Sequence, residues 1–190
     1  MKQLLTLACI IAMLTFAGQA SAVPLISFNP LAQTIYQGGS SAIDVNLTLG
    51  AGEMLDGYGL NFSFDPALLA LDPTSGVTFG SSLAGYLNFY SFDPVAGTFN
   101  LAGIDISANP IANGTFLLAT LVFSGTGVGA SAVDLLGTSS YLLSSSMFEG
   151  NFTPAGSYVT VEPVPEPGTL LLLGAGLAVG YFVRRRAVGS

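Results

Sequence analysis

The segment Ser41–Leu49 reads Ser-Ala-Ile-Asp-Val-Asn-Leu-Thr-Leu and decides the fold class of this chain. Polar and apolar side chains alternate along it, and the apolar ones are Ile43, Val45, Leu47 and Leu49. Because successive side chains of a β-strand point to opposite faces of the sheet, this two-residue period places all four on one face. The segment therefore predicts a strand with one buried face.

The same alternation recurs outward from this strand. Tyr58–Phe64 predicts a second strand with Tyr58, Leu60, Phe62 and Phe64 facing inward. Further predicted strands are Pro24–Phe28, Gln33–Tyr36, Leu68–Leu71, Gly76–Phe79, Tyr86–Phe92, Thr98–Ile104, Thr115–Ser124, Ala132–Leu136, Tyr141–Leu143 and Tyr158–Val161. Turn residues separate them, among them Gly38-Gly39, Gly50-Ala51-Gly52, Asp65-Pro66, Asp72-Pro73, Asp93-Pro94 and Asn113-Gly114. Many short strands separated by such turn residues predict an all-β fold, an antiparallel β-sandwich.

The N-terminal end has the pattern of a secretory signal peptide, predicted over residues 1–22 as a signal helix. A charged start at Lys2 is followed by the apolar run Leu4–Ala17 and by Ala20-Ser21-Ala22. This small-x-small triplet makes Ala20 and Ala22 the predicted cleavage-site residues for signal peptidase, so that the mature chain starts near Val23. We expect the general secretion machinery to export the chain through the inner membrane.

The C-terminal end carries a second targeting pattern. Pro165-Glu166-Pro167 is followed by the uncharged run Thr169–Val183 and then by Arg184-Arg185-Arg186. A helix over that run spans about 22 Å at ~1.5 Å per residue, short of the ~30 Å of a bilayer core, so it predicts a marginal transmembrane helix. A cationic cluster just past an apolar segment holds that end in the cytoplasm, which places the rest of the chain outside.

The order of triplet, short apolar helix and arginine cluster closely resembles the PEP-CTERM sorting signal of Gram-negative bacteria. The resemblance implies that Pro165, Glu166, Pro167 and the three arginines are recognised by a membrane peptidase of the exosortase type. That peptidase would cleave near the triplet and release the protein toward the cell surface or extracellular matrix. The resulting division is a sorting motif and linker at 163–168, a transmembrane helix at 169–183 and a basic cytoplasmic tail at 184–190. The alternative is an ordinary membrane anchor with a stiff proline stem.

Residues 23–162, between the two targeting segments, have the length of one domain. They contain no Lys, Arg, His or Cys, and all eleven acidic residues of the chain lie within or just beside them. Such a surface cannot neutralise phosphates, which excludes nucleic-acid binding. Mechanisms that need Ser-His-Asp or Cys-His, and zinc sites built on His or Cys, are excluded by the same composition.

Chemistry that needs only carboxylates stays open. Two-carboxylate glycoside hydrolysis is compatible with residue type at Asp65, Asp93 and Asp105, but nothing in their spacing favours it. We therefore predict no catalytic residues, with a secreted polysaccharide-acting enzyme as the alternative. Calcium is a candidate ligand because carboxylates and loop carbonyls suit a hard cation. The chain has no Asp-x-Asp-x-Asp loop, so no metal-binding residues are predicted.

A second resemblance covers about residues 24–161. Phe64-Asp65-Pro66-Ala67-Leu68-Leu69, Leu118-Ala119-Thr120-Leu121-Val122-Phe123, the turn at Gly38-Gly39 and the closing strand Ser157–Glu162 are similar to elements of cohesin modules. The resemblance implies a jelly-roll sandwich of about nine strands that acts as a non-catalytic binding module. Each element also has a simpler interpretation, because Asp-Pro ends strands and Leu118–Phe123 suits a core.

Cohesin-like sandwiches are related in fold to carbohydrate-binding modules, so the resemblance implies exopolysaccharide or a surface protein as the partner. Tyr86 and Tyr90 fall on one face of their predicted strand, and they are the candidate residues for stacking on sugar rings. Core packing of the same residues is the alternative. A purely structural role in a biofilm matrix is a further hypothesis.

Overall fold

The alternating segment lies in a long strand, β3 (Ser40–Leu55), whose side chains at Ile43, Val45 and Leu47 are fully buried. The computed structural model describes residues 24–72, 75–143, 156–165, 168 and 172–177. Within these ranges the chain folds into two β-sheets packed face to face, which confirms the predicted all-β sandwich. The inward side chains of both sheets alternate with outward ones, as the two-residue period requires.

The strands follow the predicted segments closely. They are β1 (Leu25–Asn29), β2 (Ala32–Tyr36), β3 (Ser40–Leu55), β4 (Gly57–Ser63), β5 (Leu69–Leu71), β6 (Val77–Phe79), β7 (Tyr86–Asp93), β8 (Thr98–Asp105), β9 (Ile111–Gly125), β10 (Gly129–Leu135), β11 (Tyr141–Leu143) and β12 (Gly156–Glu162). These strands outnumber the nine or so expected, because short strands share a partner. β5 and β6 both pair with β9, and β10 and β11 both pair with β4.

A five-stranded sheet has the order β1-β3-β9-β5, with β6 also paired to β9. The long pair β3 and β9 is antiparallel and forms its centre. Two predicted turns are instead parts of these strands: Gly50-Ala51-Gly52 bulges out of β3, and Gly114 of the Asn-Gly pair lies opposite Leu49 in β9. Gly52 has φ +84°, a left-handed conformation that glycine adopts without strain.

A seven-stranded sheet has the order β2-β12-β10-β4-β8-β7, with β11 also paired to β4. β10 pairs with the end of β4 at Phe62 and Ser63, and β11 pairs with its start at Gly57–Gly59. Between them the chain makes a short 3-10 turn at Gly137–Ser139. One pair departs from the expected antiparallel arrangement, because β2 runs parallel to β12.

Phenylalanines from both sheets fill the middle of the core. Phe123 of β9 has no exposed surface, and its ring centroid lies 5.2 Å from that of Phe64 and 6.1 Å from that of Phe99. Phe62 stacks on Phe99 with centroids 4.7 Å apart. Aromatic pairs at such distances add to the stability gained by apolar burial. Since the domain has no cysteine, this packing is the main source of its stability.

The targeting segments lie largely outside the described residues. This applies to residues 1–22 with Ala20 and Ala22, to Glu166 and Pro167, and to Arg184, Arg185 and Arg186. In the predicted transmembrane helix, residues 172–177 are helical and exposed. No helix among the described residues is both long and apolar enough to cross a membrane.

Candidate binding face of the seven-stranded sheet

One side of β4, β7 and β8 faces away from the core, and we call it the outer face. The registers arrange it in three rows across the sheet. They are Leu87–Ile104–Gly57–Leu143, then Phe89–Ala102–Gly59–Tyr141, then Ser91–Asn100–Asn61. The first two rows are apolar and the third is polar, so the outer face has two chemically different halves.

The apolar half presents five large side chains to solvent. They are Leu87, Phe89, Ile104, Tyr141 and Leu143, each between 42% and 52% exposed, and we call them the apolar patch. Gly57 and Gly59 make room for it: a Cβ on Gly59 would overlap the Tyr141 ring, and one on Gly57 would lie 3.2 Å from Leu143 Cδ1. The glycines therefore let the side chains of β11 lie across β4.

Two carboxylates lie at the strand ends beside the first row, at inward positions of the alternation: Asp105 is opposite Tyr86 in the register, and Asp56 precedes the outward Gly57. The backbone N–H of Asp105 donates to the carbonyl of Asp56 at 2.8 Å, which ties the end of β8 to the start of β4. The hydroxyl and the backbone N–H of Ser107 donate to Asp105 Oδ1 at 2.7 and 2.8 Å. These hydrogen bonds, the hydroxyl's first, hold the pKa of Asp105 below its usual value. Asp105 is therefore ionised at neutral pH, and it lies beside Tyr86 rather than on the outer face.

The polar half contains a groove of about 370 Å³, which we call the polar groove. Its polar lining consists of Asn61, Ser91, Asp93, Thr98, Asn100 and Ser139, and its apolar lining of Phe62, Phe92, Phe99 and Leu136. Asn100 Nδ2 donates to Asn61 Oδ1 at 3.0 Å, and Asn61 Nδ2 donates to the Ser139 carbonyl. A chain of amides therefore runs from β8 across β4 to the 3-10 turn.

The two tyrosines predicted to stack on sugars lie on the inward face of β7. Tyr86 is only 7% exposed, and its hydroxyl donates to the Leu55 carbonyl and accepts from the Ile111 N–H at 3.1 Å. Tyr90 is half-buried, with its ring centroid 6.5 Å from that of Phe79. The stacking prediction is therefore wrong for the buried Tyr86, and it stays a prediction for the partly exposed Tyr90. Alternation placed both on one face correctly, but the outward aromatic of this strand is Phe89.

The acidic residues considered for catalysis serve as turn caps. Asp65 Oδ1 accepts from the Ala67 N–H at 2.9 Å, and Asp93 Oδ1 accepts from the N–H groups of Val95 and Ala96 at 2.9 and 3.0 Å. These hydrogen bonds form Asx turns, which explain why aspartate precedes proline at these positions without any catalytic role for the carboxylates. Over the described parts of the chain, no group of three or more His, Cys, Asp or Glu is placed to hold a metal ion.

Two buried phenols on the inner side of the same sheet give the domain a defined pH response. Tyr58 donates its hydroxyl proton to Asn88 Oδ1 at 2.9 Å. Burial, and next the neighbouring Tyr86, raise the pKa of Tyr58 far above its usual value. Burial also raises the pKa of Tyr86. The neutral phenols therefore stabilise the folded state below about pH 10, the pKa of an exposed tyrosine, and this stabilisation is lost as pH rises through the folded pKa values.

We expect a melting temperature that is nearly constant between about pH 6 and 9 and falls above about pH 10. The flat region follows because residues 23–162 hold no His, Cys, Lys or Arg side chain. Calorimetric melting across this pH range checks it, and Tyr58→Phe should reduce the alkaline loss. A melting temperature that changes as much between pH 6 and 9 as above 10 would contradict the assignment.

Both the C-terminal segment and the sandwich resemble known proteins. Residues 163–186 match the PEP-CTERM protein-sorting motif. No curated protein matches the sequence. Solved structures of cohesin modules match the sandwich at low sequence identity, which shows a shared fold.

Three of these structures illustrate the likeness. The cohesin module of a Clostridium perfringens family 33 glycoside hydrolase has a TM-score of 0.58 at 10% identity, covering 75% of this chain and 97% of its own. The sixth cohesin of Acetivibrio cellulolyticus scaffoldin B was solved in complex with the Cel5 dockerin. It has a TM-score of 0.58 at 14% identity, covering 74% of this chain and 100% of its own. A non-cellulosomal cohesin from Archaeoglobus fulgidus has a TM-score of 0.52 at 19% identity, covering 78% of this chain and 96% of its own. The chain thus combines a β-sandwich of cohesin-like fold with a PEP-CTERM protein-sorting motif at its C-terminal end.

Proposed function

We propose that this protein is exported and processed by an exosortase-type peptidase, and that its sandwich binds a protein partner through the apolar patch without catalysing a reaction. The sorting motif at 163–186 indicates a surface or extracellular location. Until it is processed, the apolar run 169–183 would hold it in the membrane. The observation that carries the binding role is the apolar patch itself.

The largest exposed apolar patch of a domain is often an interaction site. The patch has the composition of an interface core, with Phe89 and Tyr141 among aliphatic side chains. The acidic residues of 23–162 are not balanced by any Lys or Arg there, so the domain that carries the patch is anionic. The fitting partner is therefore a protein that presents apolar side chains flanked by Lys or Arg.

The cohesin-like fold supports a protein partner, since the Acetivibrio cellulolyticus cohesin named above was solved with a dockerin. At 14% identity we carry over only the kind of ligand, a protein, and not the dockerin. An enzymatic role has less support, because Asp65 and Asp93 cap turns.

Replacing Leu87 and Phe89 together by aspartate is expected to lower the capture of an envelope partner at least about tenfold, which corresponds to about 1.4 kcal/mol. The measurement is affinity capture from envelope extract, followed by titration of the captured protein against released protein immobilised on a sensor. Binding of the unsubstituted protein should weaken as salt is raised, because salt screens the attraction between the anionic domain and a basic partner.

The matched control replaces Leu25 and Val128 by aspartate. These residues are 51% and 53% exposed and lie outside the patch, so the control makes the same change in charge elsewhere on the domain. It should bind as the unsubstituted protein does. Equal binding by the patch variant and the control would refute the proposed interface.

A further inference from the structure

We propose that the polar groove is a binding site for a neutral glycan. It lies next to the apolar patch, with Phe89 bordering both, and its ligand is different from the protein partner proposed above. The groove lies one row further along the outer face, between β7, β8, β4 and the turn at Gly137–Ser139. Its volume of about 370 Å³ falls in the range of small-ligand sites, about 300–1,000 Å³.

The amides at the floor of the groove are held in fixed orientations. Asn100 Nδ2 donates to Asn61 Oδ1 at 3.0 Å and to the Leu60 carbonyl at 3.3 Å, so its donor group is engaged by the sheet. Its Oδ1 atom has no donor among the described residues and is left to accept from a ligand. An acceptor that is already oriented costs little conformational entropy on binding.

The remaining lining matches the hydroxyl groups of a sugar. Ser91 and Thr98 supply hydroxyls that both donate and accept, and Asp93 supplies a carboxylate that accepts only. Asp93 uses Oδ1 to cap its turn and has Oδ2 in addition. Neighbouring hydroxyls on a sugar ring can donate to the carboxylate and to Asn100 Oδ1, and can accept from Ser91 and Thr98.

An aromatic ring stands beside these polar groups. Phe89 precedes Ser91 by two residues in β7, so the two side chains lie on the same face of the strand, and Phe89 is 49% exposed. Sugars bind through hydroxyls on one side and C–H groups on the other, and an exposed ring next to hydrogen-bonding groups suits both.

The charge of the site selects among glycans. Asp93 lies in the groove, and residues 23–162 hold no Lys or Arg that could pair with a carboxylate, sulfate or phosphate on a ligand. An anionic polysaccharide would therefore be repelled, whereas a neutral one meets no such repulsion. Binding to a neutral glycan should also change little with salt, unlike binding at the patch.

Affinity electrophoresis of the released protein tests this site, with the neutral and the uronate-containing fractions of the producing cell's exopolysaccharide as probes. We expect retardation by the neutral fraction only. Asn100→Ala should reduce it at least about tenfold, and Ser91→Trp should do the same by filling the groove from an exposed position. Asn46→Ala, which changes a half-buried asparagine on the other sheet, is the matched control and should bind normally.

The patch variant Leu143→Asp separates this site from the proposed function, because Leu143 lies two rows from Asn100 and should leave glycan binding unchanged. If Leu143→Asp loses partner capture but binds glycan normally, the protein interface and the glycan site are different sites. The glycan site is wrong if the neutral fraction does not retard the protein. It is equally wrong if both Asn100→Ala and Ser91→Trp bind as well as Asn46→Ala.

Discussion

A variant with alanine at both Pro165 and Pro167 is expected to stay uncut in the cell envelope, with almost no protein released. Both prolines belong to the triplet of the sorting motif, which matches over 163–186. Proline fixes its own φ and favours extended backbone at the preceding residue, so alanine at both positions removes the preset extended shape that we expect the peptidase to recognise. Immunoblots of culture medium and envelope measure the released and retained forms.

Pro163→Ala is the matched control, because Pro163 is an exposed proline of the same segment outside the triplet. It should be released as the unsubstituted protein is. Equal release of the Pro165/Pro167 variant and this control would show that the triplet is not a cleavage signal. In that case the ordinary membrane anchor would be the better account of the C-terminal end.

The folded domain ends only a few residues before the triplet. β12 ends at Glu162, whose carbonyl still accepts from the Gln37 N–H at 2.8 Å. Only Pro163 and Val164 separate this strand from Pro165, a reach of about 10 Å for three extended residues. Cleavage near the triplet would therefore leave a short stub on the folded domain. Mass spectrometry of the released protein should place its C-terminus within a few residues of Pro165.

Phe123→Ala is expected to destabilise the domain by about 3–5 kcal/mol, the usual range for removing a fully buried phenylalanine. Phe123 has no exposed surface and touches the rings of Phe64 and Phe99, so the substitution leaves a cavity between the sheets. Typical domains have about 5–15 kcal/mol of stability in total, so a large share is lost. Denaturant unfolding of the released protein measures the change.

Phe89→Ala is the control for this prediction, since it removes the same side chain from a position that is 49% exposed. It should change stability by well under half as much, because its cavity would open to solvent. Similar losses for the two variants would contradict the assignment of Phe123 to the core and Phe89 to the outer face.

Much of this fold could be predicted because alternation is a local property. Ser41–Leu49 forms part of β3, and Ile43, Val45 and Leu47 are buried as their period predicts. The turn signals at Gly50-Ala51-Gly52 and Asn113-Gly114 were misleading, because β3 and β9 continue past both. The pairing of Met54 with Ala112 across the bulge is a long-range contact that neither segment reveals by itself.

The candidate site was harder to predict for a different reason. Both faces of β7 carry aromatic residues, with Tyr86 and Tyr90 on one and Phe89 on the other, so alternation cannot say which face is buried. The apolar patch also needs Leu143 of β11 and Ile104 of β8 beside Leu87, and these residues are distant in sequence. Only the registers of the sheet bring them together.

The most direct test of the central claim, that the outer face docks a partner outside the cell, is photo-crosslinking in intact producing cells. A photo-activatable amino acid is placed either at Phe89 in the apolar patch or at Thr78, an exposed position in β6 of the other sheet. We predict a discrete adduct with one envelope protein from position 89 and none from position 78. No protein adduct from position 89, or the same adduct from both positions, would contradict it.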